Sequence, residues 1–271
     1  MDVITTLFSY SFVTRAVIVG ILVSLCSAVL GVSLVLKRYS MIGDGLSHVS
    51  FGALAVAAAL NMAPLTISIP IVIASAFLIL RLSSSNTIGG DSAIAIFSSA
   101  ALAIGIIITS MTKGINADIC NYMFGSILAM SDGDVLISII LSAVVLFLYI
   151  LFYNRLFSIT FDESFARATG VRVNAYNMTI AVLTAVTIVI GMRIMGALLI
   201  SSLIIFPALS AMRVCRFFKG VIIISAVISV LCFFTGIIFS YILEVPVGAS
   251  VVMTNLCVFL FLSLIGKIRQ S

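Results

Sequence analysis

The sequence predicts an all-α, polytopic membrane protein with about eight or nine transmembrane helices. Of its 271 residues, 63% are hydrophobic and 8% are charged, whereas a soluble domain carries about 25% charged residues. The mean hydropathy is +1.37. Apolar runs of about 20 residues, the length that crosses a hydrocarbon core as a helix, recur along the chain. These runs lack the alternation of polar and apolar positions that a membrane β-barrel requires.

The apolar runs divide into nine candidate spans. One run, residues 45–80, has only His48 as a titratable group and is too long for a single span. Asn61 and Pro64 indicate a turn that divides it into two. We therefore treat residues 1–271 as a single transmembrane domain. The other seven runs are free of charged residues and cover 16–36, 92–112, 135–154, 173–192, 194–212, 220–243 and 245–266.

The positive charges determine the orientation. If the loop 155–172 is cytoplasmic and the spans alternate, the 14 Lys and Arg residues all lie inside except Arg15, Lys113 and Arg193. The positive-inside rule selects this orientation over the reverse. Topology and attraction to the anionic lipids of the bilayer explain the net charge of +5, so we expect no nucleic-acid partner.

Asp44 and His48 are the strongest candidates for a functional site. His48 is the only histidine, and a spacing of four residues places both side chains on one face of a helix. Ionisable groups within a membrane are costly and indicate function. A carboxylate and an imidazole together suit zinc, manganese or iron, although two ligands bind weakly. The alternative is structural: Asp44 caps the helix, and His48 bonds a nearby carbonyl.

The inner loop contains a short helix, predicted over about 160–171. It has an acidic start at Asp162 and Glu163 and a terminal glycine at Gly170, which are helix start and stop signals. Its length suits docking on another protein; the alternative is an amphipathic helix lying on the membrane surface. The sequence has no G-x-x-x-x-G-K-[ST] phosphate loop. We therefore expect that the chain is not an enzyme and binds no permanent cofactor.

Five segments occur in a characteristic order: 37–48, which contains G-D-x-x-[SA]-H, then 122–128, 162–170, 192–208 and 246–249. Together they resemble the motifs of the membrane-spanning permease subunit of bacterial metal-type ABC importers. Gly45 departs from the pattern, since alanine or threonine is more usual there, and we expect it to loosen the helix start beside Asp44.

The resemblance implies an ABC importer permease fold in the bacterial cytoplasmic membrane. The transported substrate would be a divalent transition metal ion, with zinc favoured by the segment at Met192 and manganese or iron as alternatives. Asp44 and His48 would contact this ion during transit. Two further readings stay open: a permease for a metal chelate such as cobalamin or a siderophore, and a gradient-driven secondary metal carrier.

The resemblance also implies partners. A separate ABC ATPase subunit would dock on the inner helix, with Asp162, Glu163, Ala166 and Gly170 at the centre of the contact. An extracytoplasmic metal-binding protein would capture the ion at high affinity and deliver it. The permease itself would be a homodimer.

Overall fold

The computed structural model describes residues 11–83, 89–112 and 132–270. Every regular element in these ranges is a helix. The helices are α1 (Ser11–Leu36), α2 (Ile42–Ala59), α3 (Pro64–Ser83), α4 (Gly90–Met111), α5 (Asp132–Leu151), α6 (Tyr153–Phe161), α7 (Glu163–Ala168), α8 (Val173–Met195), α9 (Ala197–Val214), α10 (Phe218–Leu243) and α11 (Val247–Gln270).

Nine helices in the described part of the chain, all except α6 and α7, are long and apolar enough to cross a bilayer. This agrees with the nine spans predicted from the sequence. The division of the run 45–80 is confirmed: α2 ends at Ala59, Asn61 has a positive φ of 52°, and α3 starts at Pro64. Proline suits the first position of a helix because its missing N–H would have no intrahelical partner there. The predicted outer-loop segment, 113–131 with its motif 122–128, lies outside the described residues.

The spanning helices form a buried centre and an outer layer. At least half of the residues in the apolar stretches of α1, α2, α8 and α9 are buried, whereas fewer than half are buried in α3, α4, α5, α10 and α11. Helices that are apolar on all sides must be covered by protein or lipid, so the outer layer faces the bilayer. The centre of the bundle therefore contains the helix that carries Asp44 and His48.

Small residues allow close packing between α2 and α4. A methyl group built on Gly52 would lie 2.6 Å from the carbonyl oxygen of Ala101, and one on Gly45 would lie 2.4 Å from Cγ2 of Ile94. Such small-residue contacts let membrane helices approach each other. Gly45 is buried and helical. Rather than loosening the helix start, it lets α4 pack against the first turns of α2.

Ion pairs near the ends of the helices agree with the alternating topology. Lys37 and Glu163, both assigned to the cytoplasmic side, form an ion pair. Arg193 and Asp134, both assigned to the outer side, form another with an N···O distance of 2.7 Å. Each pair joins segments that are far apart in sequence but are predicted to lie on the same side of the membrane.

The inner helix is present where the sequence predicts one. The carboxylate of Asp162 caps α7 by accepting a hydrogen bond from the backbone N–H of Phe165 at 2.9 Å. Gly170 follows the helix with a φ of +81°, a conformation that favours glycine. The sequence interpretation missed α6, which begins directly after α5 at Tyr153. No capping side chain marks its start, so the sequence gives no local signal there.

Candidate functional site

Asp44 and His48 lie on adjacent turns at the start of α2. Asp44 Oδ2 and His48 Nε2 are 3.6 Å apart. The side chain of Asp44 is 48% exposed and that of His48 is 26% exposed, while most of α2 around them is buried. The pair therefore forms a partly exposed polar patch on a helix that is otherwise apolar and mostly buried.

The geometry does not favour the alternative in which Asp44 caps α2. The N-cap position is Met41, and α2 has no capping hydrogen bond from a side chain. Asp44 lies in the first turn, and its two oxygens instead meet His48 and Ser201. The two titratable side chains thus contact each other, and Asp44 also contacts a neighbouring helix.

Ser201 of α9 is a site residue that the sequence interpretation missed. Its hydroxyl oxygen lies 3.4 Å from Asp44 Oδ1 and 3.0 Å from the carbonyl oxygen of Ala197, and its single proton is donated to one acceptor or the other. The hydroxyl of Ser47 lies 3.4 Å from that of Ser201 and donates to the carbonyl of Gly43 at 2.8 Å. The available signal was the two consecutive serines Ser201 and Ser202 early in an apolar span. The sequence does not tell which of the two faces Asp44.

The start of α2 packs against α9. Gly31 of α1 packs against the backbone carbonyl of Ile204, and Gly43 of α2 packs against the side chain of the same residue. Asp44 is the third residue of α2, and His48 lies about one helical turn further along the helix.

The distance between Asp44 Oδ2 and His48 Nε2 is compatible with a shared metal ion. Zinc–ligand bonds of about 2.0–2.2 Å at a tetrahedral angle separate two ligand atoms by about 3.4 Å, close to the 3.6 Å observed here. No group of three or more His, Cys, Asp or Glu side chains that could hold a metal occurs in the ranges that the structure describes. Two ligands form a weak site, which an ion in transit requires because it must leave again.

The four residues predicted to contact an ATPase have different surroundings in the structure. Asp162 is exposed and caps α7, Gly170 terminates the helix, and Glu163 bonds to Lys37. Ala166 is completely buried, since positions 163 and 166 share the inward face of a helix. The side chain of Ala166 is thus not exposed for a contact, and the ATPase contact at this segment stays a prediction. The exposed face of α7 consists of Ser164, Phe165, Arg167 and Ala168.

The electrostatics of α7 depend on Glu163. Its partial burial alone would raise the pKa of the carboxyl group. Hydrogen bonds from Lys37 Nζ at 2.6 Å and Asn177 Nδ2 at 3.1 Å, together with the positive charge of Lys37, outweigh the burial. The pKa of Glu163 is consequently held below its ordinary value, and the side chain is an anion at neutral pH.

Comparisons with known proteins agree over nearly the whole chain. A family model described as the ABC 3 transport family matches residues 9–266. The manganese import system permease protein ScaB of Streptococcus gordonii is 29% identical over 96% of this chain and 93% of its own length. The high-affinity zinc uptake system membrane protein ZnuB of Haemophilus influenzae is 30% identical over 94% and 97%. The solved structure of PsaBC from Streptococcus pneumoniae in complex with Fab superposes with a TM-score of 0.87 at 30% identity, covering 96% of this chain and 94% of that one.

Proposed function

Because the chain belongs to the ABC 3 transport family, we propose that it is the permease subunit of an ATP-driven importer for a divalent transition metal ion. The observation that carries this proposal is the Asp44–His48 pair, whose 3.6 Å separation suits a shared ion. Relatives of nearly equal length are named as manganese and zinc permeases. The nine candidate spans and this family make the chain a multi-pass protein of the cytoplasmic membrane.

Zinc is the metal that we propose first. Imidazole is a preferred zinc ligand, and the separation of the two ligand atoms is close to that of a tetrahedral site. Manganese prefers octahedral, oxygen-rich sites, and bonds of similar length at 90° would bring the two atoms to about 3.0 Å. Competition between the two cations in a transport assay decides between them.

We propose that a second copy of the chain covers the open side of the site. Asp44 is 48% exposed on a helix that is otherwise apolar and long enough to cross a bilayer. Ionisable side chains on such helices face a protein interior or a water-filled cavity. A homodimer would enclose the pair and keep it away from lipid. The molar mass of the purified permease, measured by light scattering with correction for detergent, tests this; a monomer in a transport-competent preparation would contradict it.

The exposed face of α7 is the proposed contact with a separate ABC ATPase. Phe165 is 63% exposed on this cytoplasmic helix, and exposed aromatic side chains commonly anchor protein interfaces. A cleft of about 490 Å³ that includes Arg155, Arg172 and Tyr176 adjoins the helix. In an assembled complex, Ser164→Cys should crosslink to the ATPase. Ala166→Cys is the matched control and should not, because its side chain points into the permease.

Metal uptake into proteoliposomes tests the proposed function. The vesicles contain permease, ATPase and extracytoplasmic binding protein, with radioactive zinc or manganese outside. Asp44→Asn and His48→Gln keep the size of each side chain but remove a good metal ligand, so uptake should fall to the level without ATP. Asp91→Asn, at an exposed carboxylate in the first turn of α4, is the matched control and should transport normally.

Two outcomes would contradict the proposal. Normal uptake by both site variants would remove Asp44 and His48 from the metal path. Uptake that continues when the ATPase carries an inactivating substitution would instead indicate a carrier driven by an ion gradient.

A further inference from the structure

Lys37, the residue that follows α1, has three hydrogen-bond partners in a buried environment. Its side chain is only 6% exposed. Its ammonium group donates to Glu163 Oε1 at 2.6 Å, to the carbonyl of Ile159 at 3.4 Å and to Oδ1 of Asn177. These partners use all three donors of the group. Asn177 Nδ2 donates in turn to the same oxygen of Glu163, which closes a ring of hydrogen bonds.

The ring and the hydrogen bond from Lys37 to Ile159 together join four parts of the molecule. Lys37 begins the turn from α1 to α2, Ile159 belongs to α6, Glu163 to α7 and Asn177 to α8. The backbone of α7 packs on α6 and α8. The ring connects α7 to the α1–α2 turn as well, so the helix proposed to meet the ATPase also contacts the segment that leads to the metal site.

The α1–α2 turn is short and held by backbone hydrogen bonds. The N–H of Arg38 donates to Val35 at 3.1 Å, that of Tyr39 to Leu34 at 2.9 Å, and that of Ile42 to Tyr39 at 3.0 Å. Ile42 is the first residue of α2, and Asp44 follows two positions later. Because the turn is short and fixed by these hydrogen bonds, a displacement of Lys37 would move the first turn of α2.

Stability alone is a poor explanation for a charge in this place. The chain has few charged residues, and a buried ion pair often contributes no more stability than well-packed apolar side chains. Buried polar groups are better known for fixing the relative position of elements. Charge-assisted hydrogen bonds also resist separation, so Lys37 can follow Glu163 in either direction, whereas an apolar contact resists mainly compression.

We propose that Lys37 is a positioning residue that carries displacements of α7 to α2, and thereby to Asp44 and His48. The inference rests on the proposed function, in which an ATPase moves α7 during its cycle. Lys37 does not touch the metal ion. It links the energy-dependent movement to the helix that holds the ion.

Simultaneous measurement of transport and ATP hydrolysis tests this role. The complete importer is placed in proteoliposomes, with zinc and manganese as separate probes. Lys37→Met removes the charge at similar side-chain length. The double variant Lys37→Met with Glu163→Gln removes both charges, so that no buried charge is left unpaired. Arg38→Met is the matched control, because it removes an exposed charge from the same turn.

The number of metal ions moved per ATP hydrolysed is the deciding quantity. This ratio should fall about tenfold in Lys37→Met and in the double variant, while ATP hydrolysis continues. A tenfold change lies within the usual range of coupling between two sites. Lys37→Arg, which keeps the charge, should recover most of the ratio, and Arg38→Met should match wild type.

Two results would overturn the inference. A wild-type ratio in the double variant would show that transport does not need the link. Failure of the double variant to assemble, when Arg38→Met assembles normally, would make the ring a structural feature only. Absence of uptake by the wild-type importer would instead refute the proposed function on which this inference depends.

Discussion

Replacing Gly31 by alanine should force α1 and α9 apart. A methyl group on Gly31 would lie 2.0 Å from the carbonyl oxygen of Ile204. Ordinary carbon–oxygen contacts are no shorter than about 3.3 Å, so the two helices must move apart by roughly 1.3 Å. The obstacle is backbone and cannot rotate away, which places the cost near the upper end of overpacking, about 3 kcal/mol.

Thermal unfolding of the detergent-solubilised permease measures this effect. A loss of 1 kcal/mol lowers Tm by about 2–4 °C in chains of 150–250 residues, so Gly31→Ala should lower it by roughly 6–12 °C. Gly89→Ala is the matched control. A methyl group there meets nothing within 4 Å, and because Gly89 is the N-cap of α4, the change should cost no more than about 1 kcal/mol. Equal Tm values for Gly31→Ala and wild type would refute the described packing of α1 on α9.

Three further variants test separate parts of the structure. Ser201→Ala should reduce metal uptake by a few-fold because it removes a long hydrogen bond to the site carboxylate, whereas Ser202→Ala, whose hydroxyl bonds within its own helix at 2.8 Å, should transport normally. Because the pKa of Glu163 is lowered in the folded protein, the pair of Glu163 with Lys37 stabilises the fold at pH values above the ordinary glutamate range. This stabilisation is lost as pH falls through the lowered pKa. Wild type should therefore lose more thermal stability on acidification than Glu163→Gln. Gly170→Ala should destabilise by about 1–2 kcal/mol through its left-handed backbone alone, since a methyl group there has open space, and Gly170→Asn should cost less in the same unfolding assay.

Local signals in the sequence were sufficient for the nine spanning helices in the described part of the chain and for α7, but not for α6. Apolar runs gave the spans, Asn61 with Pro64 gave the break between α2 and α3, and Asp162 with Gly170 gave the ends of α7. Each signal acts through the backbone of its own segment, as caps, turns and apolar length do. The pairing of Asp44 with His48 was also accessible, because helical spacing alone places them on one face.

The contacts between helices were not accessible in the same way. Ser201 meets Asp44 across 157 residues, and Lys37 meets Glu163 across 126. In soluble proteins, a polar face reveals how a helix is rotated. In the spans, buried and lipid-facing surfaces are both apolar, so the sequence does not show which side of α9 faces inward, and Ser201 was overlooked. In α7, Glu163 bonds inward to Lys37 while Phe165 is 63% exposed. This is the reverse of what polarity predicts, so the burial of Ala166 was not foreseen.

Anomalous X-ray scattering at the zinc edge, from crystals of the transport-competent assembly soaked with zinc, tests the central claim most directly. The account predicts a peak about 2.0–2.2 Å from both Asp44 Oδ2 and His48 Nε2. A peak elsewhere in the membrane region, with these two side chains turned away from it, would contradict the claim that this pair contacts the transported ion.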